Sequence, residues 1–355
     1  MFLDSPRLRR SRTRRVFALS FARWRTLFLR FRWPSLVAFF MAPRSLPTPP
    51  LVHKVGLSPV ARVRVRTGVP EAAERVLRAA ALEVETGALD VAGADALLCL
   101  LTDRIDAEFL AGAPRLRIVA NMAVGTDNVD LAAAARLGIA VSNTPDVLTD
   151  ATADLAFALL LAAARRLAWA DRYVRGGGFV GWTPELGIGL DVTGRTLGIV
   201  GAGRIGRAVA ERARGFRMEV LFHARSGGTP LPELLERSDF VSLHVPLSPE
   251  TRHLIGAREL GRMKPSAVLV NTARGPIVDE AALVHALRTG VIAAAGLDVF
   301  EREPALAEGM RDLPNVVLAP HIGSATIATR ARMAEVAAHN IVAALRGEPI
   351  PNRVA

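Results

Sequence analysis

Sulfur is scarce in this chain: of 355 residues only Cys99 is a cysteine. A single thiol forms no intrachain disulfide, so a core must hold the fold, and a reducing compartment is compatible. Cys99 lies within Ala96-Leu97-Leu98-Cys99-Leu100-Leu101, an apolar run that reads as a buried strand, and an inert core thiol fits that setting better than a nucleophile. No apolar run is long enough and free enough of charge for a transmembrane helix. Repeats and low-complexity tracts are missing as well. The chain therefore reads as an ordinary folded protein, long enough for two domains with separate cores, and half of its residues are apolar. No metal site is expected.

Acid is nearly missing from residues 1–44, where Asp4 alone faces eleven arginines, among them Arg7, Arg23 and Arg44. The formal charge of the whole chain is +11, so all but one unit belongs to this extension. Residues 45–355 have no basic excess with which to hold a polyanion, and no nucleic-acid partner is expected. Within the extension Phe17, Phe21, Trp24, Phe28 and Phe31 recur at spacings of four and three, which places them on one helical face. Such a segment reads as an organelle-targeting presequence, as a membrane-surface helix, or as upstream sequence translated from an early start codon, with Met41 a later candidate. Residues 43–50 are proline-rich and read as a linker.

From about Val63 short β-branched runs alternate with helical stretches. Val63 to Val65, Ala96 to Leu101, Arg117 to Ala120 and Ala140 to Val141 are expected as strands of a small α/β domain. Asp150 to Leu167 is expected as one buried helix entered by Asp150 and Asp154. Beyond it, Thr196 to Val200, Glu219 to Phe222, Phe240 to Val245, Ala267 to Asn271, Ala293 to Leu297 and Val316 to Ala319 form a regular strand series. That pattern describes an open, doubly wound parallel sheet, whose ligands lie outside the carboxyl ends of its strands.

The first strand of the series runs directly into Gly201-Ala202-Gly203-Arg204-Ile205-Gly206, and a helix follows with Ile205, Val209, Ala213 and Phe216 inward. In that context Gly201 permits the tight turn, Gly203 lets backbone approach a pyrophosphate, and Gly206 allows close helix packing, so a dinucleotide is expected. The next strand lacks the acidic residue that would take the hydroxyls of an NAD ribose. It ends instead in Phe222-His223-Ala224-Arg225-Ser226, where a guanidinium beside a hydroxyl suits a 2′-phosphate, so NADPH is expected as the preferred cofactor with NADH possible.

Three later strand ends carry Asn271-Thr272-Ala273-Arg274-Gly275, Asp298 to Pro304, and Pro320-His321-Ile322-Gly323-Ser324. Reduction of a 2-keto acid needs a cation for the carboxylate and ketone, a hydride donor, and an acid for the forming alkoxide. Arg274 suits the first role. His321 suits the last, with Glu303 to support its imidazolium. Of the other histidines, His53 falls in the linker region and His244 in a strand. His253, His285 and His339 sit in helical or loop stretches that favour surface or structural roles.

These segments, with Asn121 to Asn128 and Thr144 to Asp154, resemble the D-isomer-specific 2-hydroxyacid dehydrogenases, and among them the glyoxylate and hydroxypyruvate reductases. The likeness runs from about Val63 to the C-terminus. It implies two Rossmann-like domains: a doubly wound cofactor domain over 145–324, and a smaller flavodoxin-like substrate domain over 51–144 and 325–355, closed by a last helix over Ala328 to Leu345. The basic extension, 1–50, has no place in the pattern and is expected to be disordered or removed. The resemblance further implies that amides of Val124 and Gly125 hold the substrate carboxylate with Arg274, while Glu303 supports His321 as proton donor. Gly201, Gly203, Arg204, Ile205 and Gly206 would hold the pyrophosphate, and Ala224, Arg225 and Ser226 the 2′-phosphate end. Thr152, Val245, Pro246, Thr251, Thr272, Ala273, Arg274, Asp298, His321, Ile322 and Gly323 would complete the cofactor contacts. Trp182 resembles a tryptophan that enters the partner subunit's substrate pocket in some relatives.

A homodimer in contact through the apolar helices after Ala151, a small 2-keto acid substrate, no membrane contact for the folded body and a cytoplasmic location are the remaining expectations. An organelle replaces the cytoplasm if residues 1–44 are a presequence. Two other readings share the same residues: a reductase of a larger 2-keto acid such as 2-ketogluconate, phenylpyruvate or pyruvate, and a non-enzymatic dinucleotide sensor. A phosphoglycerate dehydrogenase is disfavoured because no regulatory domain follows residue 355.

Overall fold

The computed structural model describes residues 60–355. The amphipathic segment and linker expected before residue 50 lie outside these described residues, as does His53.

Two parallel sheets organise the chain, as the alternation of strands and helices predicts. The first contains β1 (Arg62–Arg66), β2 (Glu83–Gly87), β3 (Ala96–Cys99), β4 (Ile118–Asn121) and β5 (Ala140–Ser142) in the order β2-β1-β3-β4-β5. All four pairings are parallel, with α1 (Glu71–Ala79), α2 (Ala107–Ala111) and α3 (Leu131–Arg136) in the crossovers. This is the flavodoxin-like order, in which the chain reverses direction across the sheet after β2. β3 and β4 are buried along their whole length, as a central parallel strand covered on both faces must be. Glu83–Gly87 was not among the expected strands: of its five residues only Val84 is buried, because β2 is the sheet edge.

After β5 the chain enters α4 (Thr149–Ala164) and α5 (Leu167–Arg175). One helix was expected here; two form. The Leu190 amide donates to the Ala164 carbonyl at 2.8 Å, ending α4, and Arg166 turns into the left-handed region at φ 53°. The acids at the start of α4 also do more than face the helix dipole. Arg212 pairs with Asp154 at 2.6 Å and Asp150 at 3.2 Å, tying α4 to a neighbouring helix.

The second sheet contains β6 (Thr196–Val200), β7 (Glu219–Ala224), β8 (Gly227–Gly228), β9 (Phe240–Leu243), β10 (Val268–Asn271), β11 (Ala294–Leu297) and β12 (Val316–Leu318). Its order is β12-β11-β10-β9-β6-β7-β8, with every pairing parallel except the two-residue β8, which folds back antiparallel on β7. The crossovers hold α6 (Arg204–Gly215), α7 (Leu231–Arg237), α8 (Ala257–Leu260) and α9 (Glu280–Thr289). Direction reverses between β7 and β9 on either side of β6, which opens a crevice at the carboxyl end of β6. The final helix, α10 (Ile327–Arg346), starts and ends one residue beyond the expected range and returns to the first sheet. Met333, Ala334, Ala337, Ala338, Ile341 and Leu345 on it share a core with Val63, Val65 and Ile118. Among the described residues no helix is long and apolar enough to cross a membrane.

Candidate active site

β6 delivers the chain into Gly201 at φ 110°, a conformation that side chains disfavour. A Cβ at Gly201 would also lie 2.5 Å from the His244 carbonyl oxygen. At Gly206 a Cβ would strike the Gly201 carbonyl oxygen, so α6 sits against the turn only because both positions are bare. Gly203 caps α6 in extended geometry with no side-chain hydrogen bond, and nothing lies within 4 Å of where its Cβ would be. The space beside Gly203 is open at the positive end of the α6 dipole, where the first helical amides have no partner within the helix, a cradle that fits a pyrophosphate. The Arg204 guanidinium is engaged elsewhere, at 2.6 Å from Asp146, leaving its backbone amide for that role.

β7 ends in a two-residue turn, Arg225-Ser226, closed by pairing of Ala224 with Gly227 and His223 with Gly228. Both turn residues are exposed, and among the described residues Arg225 makes no ion pair. The Thr251 hydroxyl donates to the Pro246 carbonyl at 2.7 Å and accepts from the Ser248 amide at 2.8 Å, so it shapes the loop that carries Val245 and Pro246 beside Gly201.

The three expected catalytic side chains come together at the carboxyl ends of β10, β11 and β12. Asn271 fixes the first segment, donating to the Arg274 carbonyl at 2.9 Å and accepting from the Ala273 amide at 3.0 Å. Arg274 then reaches toward the first sheet, its Nε donating to Asp127 Oδ1 and Oδ2 at 3.0 and 3.1 Å while Nη1 donates to the Ala273 carbonyl at 2.8 Å. Its Nη2 fills the space a Cβ at Gly125 would take. Opposite, the Val124 carbonyl accepts from Asn143 Nδ2 at 2.8 Å and the Ala123 carbonyl accepts from the Thr144 amide at 2.8 Å. In a trans peptide the N–H points away from the carbonyl, so the Val124 and Gly125 amides are turned away from residues 143–144.

His321 sits at φ 55° just after β12, and its Nδ1 lies 2.9 Å from Glu303 Oε2. Burial alone pushes the Glu303 carboxyl up. Hydrogen bonds from His321 and the Phe300 amide, with the charges of His321 and Arg274, outweigh that and hold it below its ordinary value. An ionised Glu303 only accepts, so Nδ1 carries the shared proton and Nε2 is left for transfer. Asp298 organises the backbone around the ring: its carboxylate accepts from the Ile322 and Gly323 amides, both at 2.7 Å, and its carbonyl accepts from the His321 amide at 2.8 Å. Burial raises Asp298 above its usual carboxylate range. The Thr152 hydroxyl donates to the Gly323 carbonyl at 3.2 Å, whereas the buried Thr272 hydroxyl at the end of β10 has no partner among the described residues.

A family model for the NAD binding domain of D-isomer specific 2-hydroxyacid dehydrogenases matches residues 157–323. A glyoxylate reductase of Korarchaeum cryptofilum is 57% identical over 273 residues, covering 73% of this chain and 82% of the relative. That of Thermococcus litoralis is 54% identical over 275 residues, covering 73% and 83%. The chain belongs to the D-isomer-specific 2-hydroxyacid dehydrogenases. A solved structure of similar fold is that of an NADPH-dependent glyoxylate/hydroxypyruvate reductase of Sinorhizobium meliloti in complex with NADP and malonate. It is 35% identical with a TM-score of 0.75, and the match covers 83% of this chain and 97% of that one.

In this 2-hydroxyacid dehydrogenase the sequence pointed to Arg274, Glu303 and His321 but assigned no role to Asp127, Asn121 or Asn143. Asn121 Nδ2 donates to the Gly125 carbonyl at 3.0 Å, so both carbonyls of the Val124-Gly125 pair are held by asparagines. The asparagines at 121, 128 and 143 are visible in the sequence; which carbonyl each holds is not. Trp182 is 78% exposed, and Val180, Phe179, Leu167, Val174 and Ile188 are exposed around the same stretch of chain. Helix α5 has no buried residue at all. Cys99 is buried, and burial pushes its thiol up, which fits an inert core residue. His244 stands just past β9 rather than in it, and burial lowers its imidazole to about 4. His285 and His339 are exposed on helices, and His253 Nε2 pairs with Glu301 Oε1 at 2.8 Å.

Proposed function

We propose that the protein reduces small 2-keto acids, glyoxylate to glycolate and hydroxypyruvate to D-glycerate, and prefers NADPH. The observation that carries this reading is the pairing of His321 with Glu303 at 2.9 Å, with the Arg274 charge acting on that carboxylate and Arg274 Nη2 against Gly125. The nicotinamide cofactor, when bound along the glycine turn, supplies the hydride. Arg274 Nη2 and the two amides hold the substrate carboxylate and leave its carbonyl beside the guanidinium, which polarises the C=O bond. As the carbonyl carbon gains its C–H bond, the π electrons move to oxygen and His321 Nε2 donates a proton there. The Glu303 carboxylate accepts from Nδ1 and so fixes which ring nitrogen faces the substrate.

The sequence match with glyoxylate reductases supports the choice of substrate class, and the Sinorhizobium meliloti structure with NADP supports a phosphate-bearing cofactor. Arg225 and Ser226, at a strand end that itself carries no acidic residue, are the residues assigned to the 2′-phosphate. Residues 51–144 and 325–355 are assigned to substrate, residues 145–324 to cofactor. Closure of the crevice would exclude water and strengthen the Arg274 charge. The helices after Ala151 are assigned to a homodimer contact, the exposed Trp182 to the partner subunit's substrate pocket, and the cytoplasm to the working compartment. Steady-state rates with NADPH and NADH across glyoxylate, hydroxypyruvate, pyruvate and phenylpyruvate test the proposal. Turnover of the two small acids above the rest supports it; a preference for phenylpyruvate, or no turnover of any keto acid, overturns it.

A further inference from the structure

Helix α9 begins with a carboxylate that takes no part in the proton transfer or in substrate binding. Glu280 is 5% exposed, yet both of its oxygens are occupied: Oε1 accepts from the Glu301 amide at 2.7 Å and Oε2 from the Ala307 amide at 3.2 Å. Those two amides bracket Glu303 in the chain. Between them the Glu303 side chain turns back so that Oε1 accepts from the Phe300 amide at 3.0 Å, which leaves Oε2 for His321 Nδ1.

The same helix start is tied to the arginine segment. Arg274 leads into the short turn Gly275–Ile277 and then α9, and a Cβ at Gly275 would strike the Phe300 carbonyl and the Glu301 amide. From the other side the Glu301 carboxylate takes His253 Nε2, while the His253 amide donates to the Pro276 carbonyl at 2.8 Å. The backbone on both sides of Glu303 is thereby pinned to the backbone that follows Arg274.

Resting on the reading of His321 and Glu303 as the acid pair, we propose that Glu280 is a positioning residue, a two-point clamp that holds the 300–307 loop so Glu303 meets His321. A buried carboxylate is a costly way to fill core space, and burial raises Glu280 above its ordinary value. Its placement is explained by what only an acceptor with two oxygens does, which is to take two backbone N–H groups at once. Glutamine in its place keeps the shape but offers one acceptor oxygen, and its amide group confronts the second N–H.

The test is a double-mutant cycle of Glu280→Gln with Glu303→Gln, assayed with glyoxylate and NADPH. Glu280→Gln is expected to lower kcat roughly tenfold to a hundredfold, the scale of a misplaced catalytic group, with the glyoxylate KM and the NADPH Kd each changed less than about twofold. In the Glu303→Gln background the same substitution is expected to lower kcat by less than about twofold, because both changes break one unit. Glu280→Asp, which keeps the charge but withdraws it by one methylene, runs the same cycle should Glu280→Gln fail to fold. Unchanged kcat in the single variant, or its full loss repeated in the Glu303→Gln background, overturns the clamp. Loss of NADPH binding in both Glu280 variants also overturns it, because Glu280 then holds the fold and not the loop. Unchanged kcat in Glu303→Gln alone removes the acid pair itself, and the clamp with it.

Discussion

Arg274 and Asp127, 147 residues apart in sequence, form a side-on ion pair in which one guanidinium nitrogen lies 3.0 and 3.1 Å from the two carboxylate oxygens. The pair joins the segment after β10 to the loop after β4 and leaves Nη2 against Gly125. A substrate carboxylate would therefore meet a guanidinium whose plane is already set. Arg274→Lys keeps the charge but loses both the fork and the Ala273 contact, and is expected to lower kcat/KM for glyoxylate about a hundredfold or more. Asp127→Asn is expected to cost about tenfold, mostly in KM, at the scale of one charge-assisted hydrogen bond. Wild-type kcat/KM in both variants would remove Arg274 from substrate binding.

His321 and Glu303 are expected to separate chemistry from binding. His321→Ala should reduce kcat by about 10²–10⁴, the usual worth of a general acid, while the NADPH Kd measured by fluorescence stays within about twofold. Glu303→Gln should fall between that variant and the native enzyme. A His321→Ala enzyme that turns over at the native rate contradicts the proton-donor role.

The proposed preference for NADPH assigns cofactor choice to Arg225, exposed at the turn after β7. Its loss removes charge-assisted hydrogen bonds to a 2′-phosphate, worth about 1.5–3 kcal/mol, so Arg225→Ala should raise the NADPH KM by roughly tenfold to a hundredfold. The NADH KM should barely move. Parallel losses with both cofactors would place the phosphate elsewhere.

Acid should destabilise the fold through His244, whose imidazole is lowered by burial from 6.5 to about 4. The folded state binds this proton more weakly than the unfolded chain does. Stability that is fully present above pH 6.5 is thus lost as pH falls toward 4, by up to about 3 kcal/mol. Urea unfolding of His244→Gln between those pH values should show a shallower decline than the native protein; identical slopes would mean that the ring protonates freely in the fold.

Much of the fold was legible because it follows from local geometry. The glycine turn could be read since Gly201 and Gly206 act on neighbours a few residues away in the chain. The buried strands β3, β4, β9 and β10 could be read since a strand covered on both faces must be apolar throughout. Where covering is incomplete the pattern failed: β2 exposes all but one side chain fully or in part, and its register comes from β1 beside it. The break at Arg166 was invisible for a similar reason, because the group that ends α4 is an amide from residue 190.

Local sequence was enough for the alternation of strands and helices, the bare turn at the carboxyl end of β6 and the placing of Arg274, Glu303 and His321 at later strand ends. Each of these is a property of a residue type and its near neighbours. Tertiary structure alone decided that Asp127 faces Arg274, that asparagines hold the carbonyls of Val124 and Gly125, and that Glu280 grips the loop around Glu303. Such pairs carry no spacing rule, because polar groups removed from water must find whatever partner the packing of distant segments brings within about 3 Å.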